Sequence, residues 1–311
     1  MTRKKQSGAS SADGSPTLFV FAEKVISDSR LLGRIRTSET YLSAIRSFHC
    51  YREGKDVALK DIDSHMILKY ETFLRNRGLC PNSSSFYMRN LRAIYNRAVH
   101  ENLTKQKFPF KHVYTGVDKT SKRAVSINTI RQIKDMDLST KPNLDFARDI
   151  FMFSFYTRGM SFIDIAYLRK QNLSYDTLSY RRRKTGQMMS IRWEECMQAI
   201  TDKYSPTHTP FLLPIIRATD EQEQRKQYIN ISQKVNRSLK IIGRMLNLHI
   251  PLTMYVSRHA WASITKNKNV PLAVISEGLG HDSEKTTRIY LASLDNVAVD
   301  NANSMILKLL S

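Results

Sequence analysis

Four segments of this 311-residue chain hold the side chains best suited to chemistry. They run Phe155-Tyr-Thr-Arg-Gly-Met-Ser-Phe-Ile-Asp-Ile-Ala-Tyr-Leu168, Arg183-Lys-Thr-Gly186, Tyr255-Val-Ser-Arg-His-Ala-Trp-Ala262 and Gly278-Leu-Gly-His-Asp-Ser-Glu-Lys-Thr-Thr-Arg-Ile-Tyr290. They offer guanidinium forks and an ammonium for anionic oxygen, an imidazole for proton sharing, and phenols. Metal chemistry has no support: the eight histidines show no HxxxH or HExxH spacing, and none pairs with a cysteine at finger spacing. A Gly-rich phosphate loop and a GxSxG elbow are both missing, which weakens nucleotide hydrolysis and acyl transfer. Taken singly, each candidate has an ordinary reading. Arg158 reads equally as a helix-surface charge, Lys184 as a hairpin-tip lysine, His281 as a helix cap and Tyr290 as a core aromatic. Their joint occurrence in this order is much harder to ascribe to accident.

The charge points the same way. Lys plus Arg number 49 against 28 Asp plus Glu, a net of +21 and a pI near 9.9. Such an excess is ordinarily matched to a polyanion, most often nucleic acid, although some basic proteins bind none. Residues 1–124 carry 23 basic and 11 acidic side chains, and the remainder 26 and 17, so both halves are basic. That distribution suits a protein gripping a duplex from two sides. A 41% hydrophobic content with helical periodicity excludes a wholly disordered chain. No apolar run is long enough to span a membrane, and Met1-Thr-Arg-Lys-Lys-Gln is not followed by a secretory apolar core. Cys50, Cys80 and Cys196, odd in number and far apart, read as reduced thiols of a cytoplasmic protein.

Two domains of mainly α structure are expected to position these groups. Residues 1–16 are Ser/Gly-rich and read as a disordered tail. Residues 17–103 read as four helices. The first has Leu18, Phe21, Ala22, Val25 and Ile26 at 3.6-residue spacing; the second has Tyr41, Ala44, Ile45 and Phe48, with Thr37 or Ser38 as N-cap. Asp63 caps a third helix that stops at Gly78, and Pro81-Asn-Ser opens a fourth. Residues 104–124 lose the periodicity, gain lysines and read as a basic linker. Residues 125–311 are again mostly helical, interrupted by a small β-hairpin, Leu178–Lys184 and Gln187–Trp193, turning at Thr185-Gly186. Residues 202–228, with Pro206, Pro210 and Pro214, read as loop-rich.

Taken together, the four segments resemble the tyrosine recombinases, the phage integrase family. Leu-Gly-His281 followed nine residues later by Tyr290 is similar to the family's histidine and nucleophilic tyrosine. Arg258-His-Ala-Trp-Ala matches its second-arginine box, and Lys184 its hairpin lysine. Ile35-Arg-Thr-Ser-Glu-Thr-Tyr41 and Arg77-Gly-Leu-Cys-Pro-Asn82 resemble its SAM-like core-binding domain. There are departures. The family's His-x-x-Arg reads Tyr255-Val-Ser-Arg258, and counting back three from Asp164 gives Ser161 where the first arginine belongs, with Arg158 one helical turn earlier. The short N-terminal tail argues against a separate arm-site DNA-binding domain.

The resemblance implies a catalytic set of Tyr290, Arg158, Lys184, Arg258, His281 and Tyr255, acting without metal, ATP or other cofactor. Tyr290 would form a 3′-phosphotyrosine, the arginines would clamp the phosphate, Lys184 would protonate the leaving 5′-oxygen and His281 would donate a hydrogen bond to a phosphate oxygen. Tyr255, a poor base, would donate or relay a hydrogen bond. If Arg158 and Ser161 share a helix face, Arg158 could reach the first-arginine site from one turn away. Arg75, Arg77, Arg89 and Arg92 are candidate DNA contacts, each with a solvated helix face as the plain alternative. The implied function is site-specific DNA recombination by integration, excision or inversion. The alternatives are a non-catalytic DNA-binding regulator of the same fold and a type IB topoisomerase-like strand transferase. Implied partners are double-stranded DNA, further copies of the chain forming a tetramer in synapsis, and accessory DNA-bending proteins, with no membrane. Val297, Met305, Ile306, Leu309 and Leu310 are too apolar for a free tail and are expected to dock on a neighbouring protomer.

Overall fold

The computed structural model describes residues 16–118, 124–204, 208–291 and 307. Val297, Met305, Ile306, Leu309 and Leu310 lie outside them. The chain divides into two compact units, residues 1–120 and 121–311.

Among its described residues the first unit has four α-helices, α1 (Leu18–Leu31), α2 (Ile35–Tyr51), α3 (Ser64–Asn76) and α4 (Pro81–His100). Each buries one stripe, so the spacing read from the sequence becomes the core: Phe21 and Val25 from α1, Phe48 from α2, Tyr70 and Leu74 from α3, Ile94 and Tyr95 from α4. Phe48 and Tyr70 meet edge to face at 5.0 Å, and the Tyr70 hydroxyl donates to Ser47 at 2.8 Å. Asp63 caps α3 through the Met66 N–H, and Gly78 takes a positive φ just beyond its end. α2 begins earlier than expected: Arg34 holds the N-cap position, and Ser38 sits inside the helix with its hydroxyl on the Ile35 carbonyl. The stretch read as linker packs on this unit as far as Asp118. Tyr95 donates to the Lys105 carbonyl, Ser85 donates to the Gly116 carbonyl, and Phe110 and Val113 enter the core.

The second unit contains α5 (Ile127–Asp135), α6 (Pro142–Tyr156), α7 (Phe162–Ala166), α8 (Glu195–Tyr204), α9 (Glu221–Met245), α10 (Met254–Asn267), α11 (Leu272–Leu279) and α12 (Glu284–Leu291). Between α7 and α8 runs an antiparallel sheet, β1 (Leu173–Ser174), β2 (Thr177–Arg181) and β3 (Met188–Arg192), in that order. The central helix is α6. Its run Ile150-Phe-Met-Phe153 is apolar all round and buried all round, and it packs against α8, α9 and α10. Tyr180 pairs with Met189 and Leu178 with Ile191 across β2–β3, these four side chains facing the core. Part of the expected loop is helical: Asp220 accepts from the Glu223 N–H, and α9 starts at Glu221. Between α6 and α8, Arg148 binds Asp145 and Asp149, Lys203 binds the same two carboxylates, and the Tyr204 hydroxyl donates to Asp149 at 2.8 Å.

Candidate functional site

A cavity of about 540 Å³ opens in the second unit where α10, the β2–β3 connection and the end of α11 converge. Arg182, Lys184, Tyr255, Arg258, His281 and Asp282 stand on its wall. Arg258 lies on the buried face of α10 and is only 8% exposed. Its guanidinium donates to the Gly159 carbonyl at 2.8 Å, to the Leu279 carbonyl at 2.5 Å and to His281 Nε2 at 3.2 Å. Gly159 is required there: its φ is +73°, and a Cβ would lie 2.7 Å from the Arg258 Cα.

Arg182 is the second buried guanidinium, 6% exposed, and it donates to the Gly280 carbonyl. Gly280 ends α11 in the left-handed conformation, and a Cβ on it would meet the Arg182 Cδ at 2.7 Å. Each glycine therefore makes room for one arginine. Lys184 follows in the exposed β2–β3 connection, whose turn uses Gly186 at φ +75°. The base of that connection is anchored: buried Asp164 accepts from the Arg183 N–H at 2.9 Å and from the Ser161 hydroxyl at 2.5 Å. The Arg183 guanidinium stacks 3.8 Å above the Tyr167 ring.

His281 is half-buried just past α11. Its Nδ1 meets the Thr287 hydroxyl at 2.7 Å, and that hydroxyl donates to Ser276 at 2.9 Å. Burial, followed by the charges of Arg258, Arg182 and Lys184, pushes its pKa down to about 4, so the imidazole is neutral at pH 7. Tyr255 is 58% exposed on the cavity wall, its ring edge-on to His259 at 4.4 Å. Tyr290 belongs to the last turn of α12, the helix that also carries Thr287.

The structure thus brings Lys184, Arg258, His281 and Tyr255 to one cavity. It does not bring Arg158 there. α6 ends at Tyr156, Arg158 occupies a turn at φ +60°, and Ser161 is the N-cap position of α7, so the two never share a helix face. The Arg158 guanidinium turns to the Ser190 carbonyl on β3, 3.4 Å away, and forms no part of the cavity wall. Sequence reading missed Arg182, although strand parity held the signal: Leu178, Tyr180 and Arg182 alternate inward while Arg181 and Arg183 face out. In the sequence Asp164 stands out only as the acidic residue three positions after Ser161. Among the described residues no cluster of His, Cys, Asp and Glu could hold a metal, all three cysteines are exposed, and no helix is long and apolar enough to cross a membrane.

In the first unit Arg75, Arg77 and Arg89 are exposed and Arg92 is half-buried. Arg75 pairs weakly with Glu71, Arg77 lies over the Phe73 ring, Arg89 bonds the Ser85 carbonyl and Arg92 donates to Thr115. Arg77 also borders a shallow groove with Arg46 and Tyr87. Arg46, on α2, is a cation that periodicity alone did not single out.

No curated protein sequence is significantly similar to the chain. The fold, by contrast, has many relatives among solved structures. A lambda integrase dimer bound to a COC′ core site superposes with a TM-score of 0.66 at 15% identity, over 89% of this chain and 77% of that one. The XerH site-specific recombinase bound to a palindromic difH substrate, a post-cleavage complex, gives 0.63 at 18% over 91% and 83%. The Tn1549 transposon integrase in complex with a circular intermediate DNA gives 0.61 at 14% over 89% and 95%. At these identities the likeness shows the fold. Family models supply the kinship: the phage integrase SAM-like domain matches residues 17–113 and the phage integrase family residues 177–296. With well over half of its length matched by these two models and its fold shared with known integrases, the chain belongs to the phage integrase family, the tyrosine recombinases.

Proposed function

We propose that the protein is a site-specific DNA recombinase that cuts and rejoins strands through a 3′-phosphotyrosine. One observation carries the reading: Arg182, Arg258, Lys184 and His281 converge on a single cavity. Such a cavity fits the pentacoordinate phosphorus of a displacement, whose non-bridging oxygens gain negative charge. Tyr290 is the nucleophile. Its oxygen bonds to phosphorus as the bond to the 5′-oxygen breaks, and Lys184 supplies a proton to the departing oxygen. The phenol proton leaves by the cavity mouth, where exposed Tyr255 stands in place of the family's usual histidine. A second 5′-hydroxyl reverses the step on another strand, so the bond energy is conserved and ATP is not required.

Arg182 fills the role for which the sequence offered Arg158 or Ser161. It is buried beside Arg258 and already oriented, so the two forks clamp the phosphate without a metal. The first unit acts as the core-binding domain, holding the duplex through exposed Arg75, Arg77 and Arg89, with Arg46 in the same role. The active assembly is a tetramer of this chain on paired DNA sites. A solved tetramer of lambda integrase on a Holliday junction, which shares this fold, supports that reading.

A trapping experiment tests the function. A pool of nicked duplexes of varied sequence is incubated with the full chain, and covalently attached DNA is recovered after denaturation. The expected result is a sequence-selected adduct at Tyr290 that persists in EDTA. Binding without an adduct would instead favour a non-catalytic regulator. Relaxation of supercoils with no sequence selection would favour a topoisomerase.

A further inference from the structure

The hydrogen bonds around His281 fix which of its nitrogens carries the proton. Arg258 has only donors, so the His281 Nε2 that it meets at 3.2 Å presents a lone pair. On the other side the Thr287 hydroxyl spends its hydrogen on Ser276, so it must accept from Nδ1–H at 2.7 Å. Two independent contacts thus give the same tautomer, with the acceptor nitrogen set against the Arg258 guanidinium, a group of the cavity wall. Thr287 is fully buried, Ser276 nearly so, and the relay joins α11 to the helix of Tyr290. In this state His281 cannot donate a hydrogen bond to a phosphate oxygen, which is the role the resemblance implies for it.

We propose that Thr287 is a positioning residue that holds His281 as the Nδ1–H tautomer, and that a phosphodiester entering the cavity draws a proton onto His281 Nε2. This rests on the reading of the cavity as a phosphodiester site. The proton comes from solvent: an Nε2–H bond forms as a hydronium or buffer acid gives up its proton, and no bond between heavy atoms changes. Before binding, the ring faces Arg258 from α10, Arg182 and Lys184 from the β2–β3 connection, and Asp282 from its own loop, with Tyr255 lining the same cavity. Burial first, and then the three cations, oppose protonation, and Asp282 favours it. A phosphodiester anion reverses that balance. It draws the Arg258 fork onto its own oxygens, frees Nε2 and rewards a third donor there. Thr287 keeps Nδ1–H committed throughout, so the incoming proton has one place to go.

The test uses the full chain as Tyr290→Phe, with ¹⁵N-labelled histidine and a short duplex of arbitrary sequence at low salt. In the free protein His281 should show a protonated Nδ1 and an unprotonated Nε2 at pH 7. Adding duplex should protonate both nitrogens, and calorimetry in buffers of differing ionisation heat should report uptake of about one proton per chain. Thr287→Val should give mixed tautomers in the free protein and lose most of the proton uptake. Thr287→Ser, which keeps the hydroxyl, should restore both, an outcome that a purely packing role for Thr287 does not produce. A free-state Nε2–H tautomer, or binding with His281 unchanged, would overturn the inference and leave the recombinase reading intact. A chain that does not bind the duplex at all would overturn the reading itself.

Discussion

Two regions of the second unit gather cations around buried groups, and they treat them in opposite ways. Between α6 and α8, Arg148 and Lys203 meet Asp145 and Asp149, so the buried carboxylate charge is cancelled. At the cavity, the described partners of Arg258 and Arg182 are the carbonyls of Gly159, Leu279 and Gly280, with the His281 ring beside them. A carbonyl orients a guanidinium but leaves its full charge in place. The first arrangement is what a stable fold requires. The second keeps guanidinium donors oriented at a cavity, where an arriving anion gains from them most.

Substitutions can break this contrast at either end. The largest effect is expected at the nucleophile: Tyr290→Phe should remove all covalent adduct in the trapping assay while thermal unfolding and DNA affinity stay near wild type. Next comes the paired network. Asp149→Ala removes the buried carboxylate shared by partly buried Arg148 and exposed Lys203, which keep only Asp145, and should lower unfolding free energy by about 1–3 kcal/mol in a denaturant titration. Arg182→Met, at the cavity, should leave stability unchanged or raise it, because it removes a charge held beside two others. If both substitutions destabilise alike, the two regions do not differ in the way described.

Smaller effects sharpen the picture. Gly280→Ala forces a side chain into a left-handed position already crowded by Arg182 and should cost about 1–3 kcal/mol, again by denaturant titration. The pH dependence is the mildest. His281 titrates near 6.5 when unfolded and about 4 when folded, so between those values the unfolded chain binds more protons. Its contribution to stability is therefore complete above pH 6.5 and is lost as pH falls towards 4. His281→Asn should flatten that part of the stability profile.

Much of this was legible from residue types and spacing. The four helices of the first unit follow from apolar periodicity, with Asp63 and Gly78 as punctuation. Lys184, Arg258, His281 and Tyr255 all reached the cavity because each stands at a motif whose spacing the fold must respect. What could not be read was register and reach. Whether Arg158 lies in a helix depends on the turn that Gly159 permits, and that glycine is there to let Arg258 approach. Arg182 was hidden among three consecutive arginines until strand parity turned one inward. The proton position on His281 depends on Thr287 and Ser276, whose meeting needs the packing of α12 on α11. The packing of residues 104–118 on the first unit is illegible for a similar reason, since Tyr95 and Ser85 recruit a segment that has no periodicity of its own.

The rate of covalent adduct formation in Arg182→Lys and Arg158→Lys, measured on one trapped substrate, bears most directly on the cavity. Lysine keeps the charge and loses the fork. Arg182→Lys should slow the adduct by about a hundredfold, the effect of losing roughly 3 kcal/mol of transition-state stabilisation, while Arg158→Lys stays within a few-fold of wild type. Normal rates in Arg182→Lys with a collapse in Arg158→Lys would contradict the assignment of the buried, carbonyl-held guanidinium as the second half of the phosphate clamp.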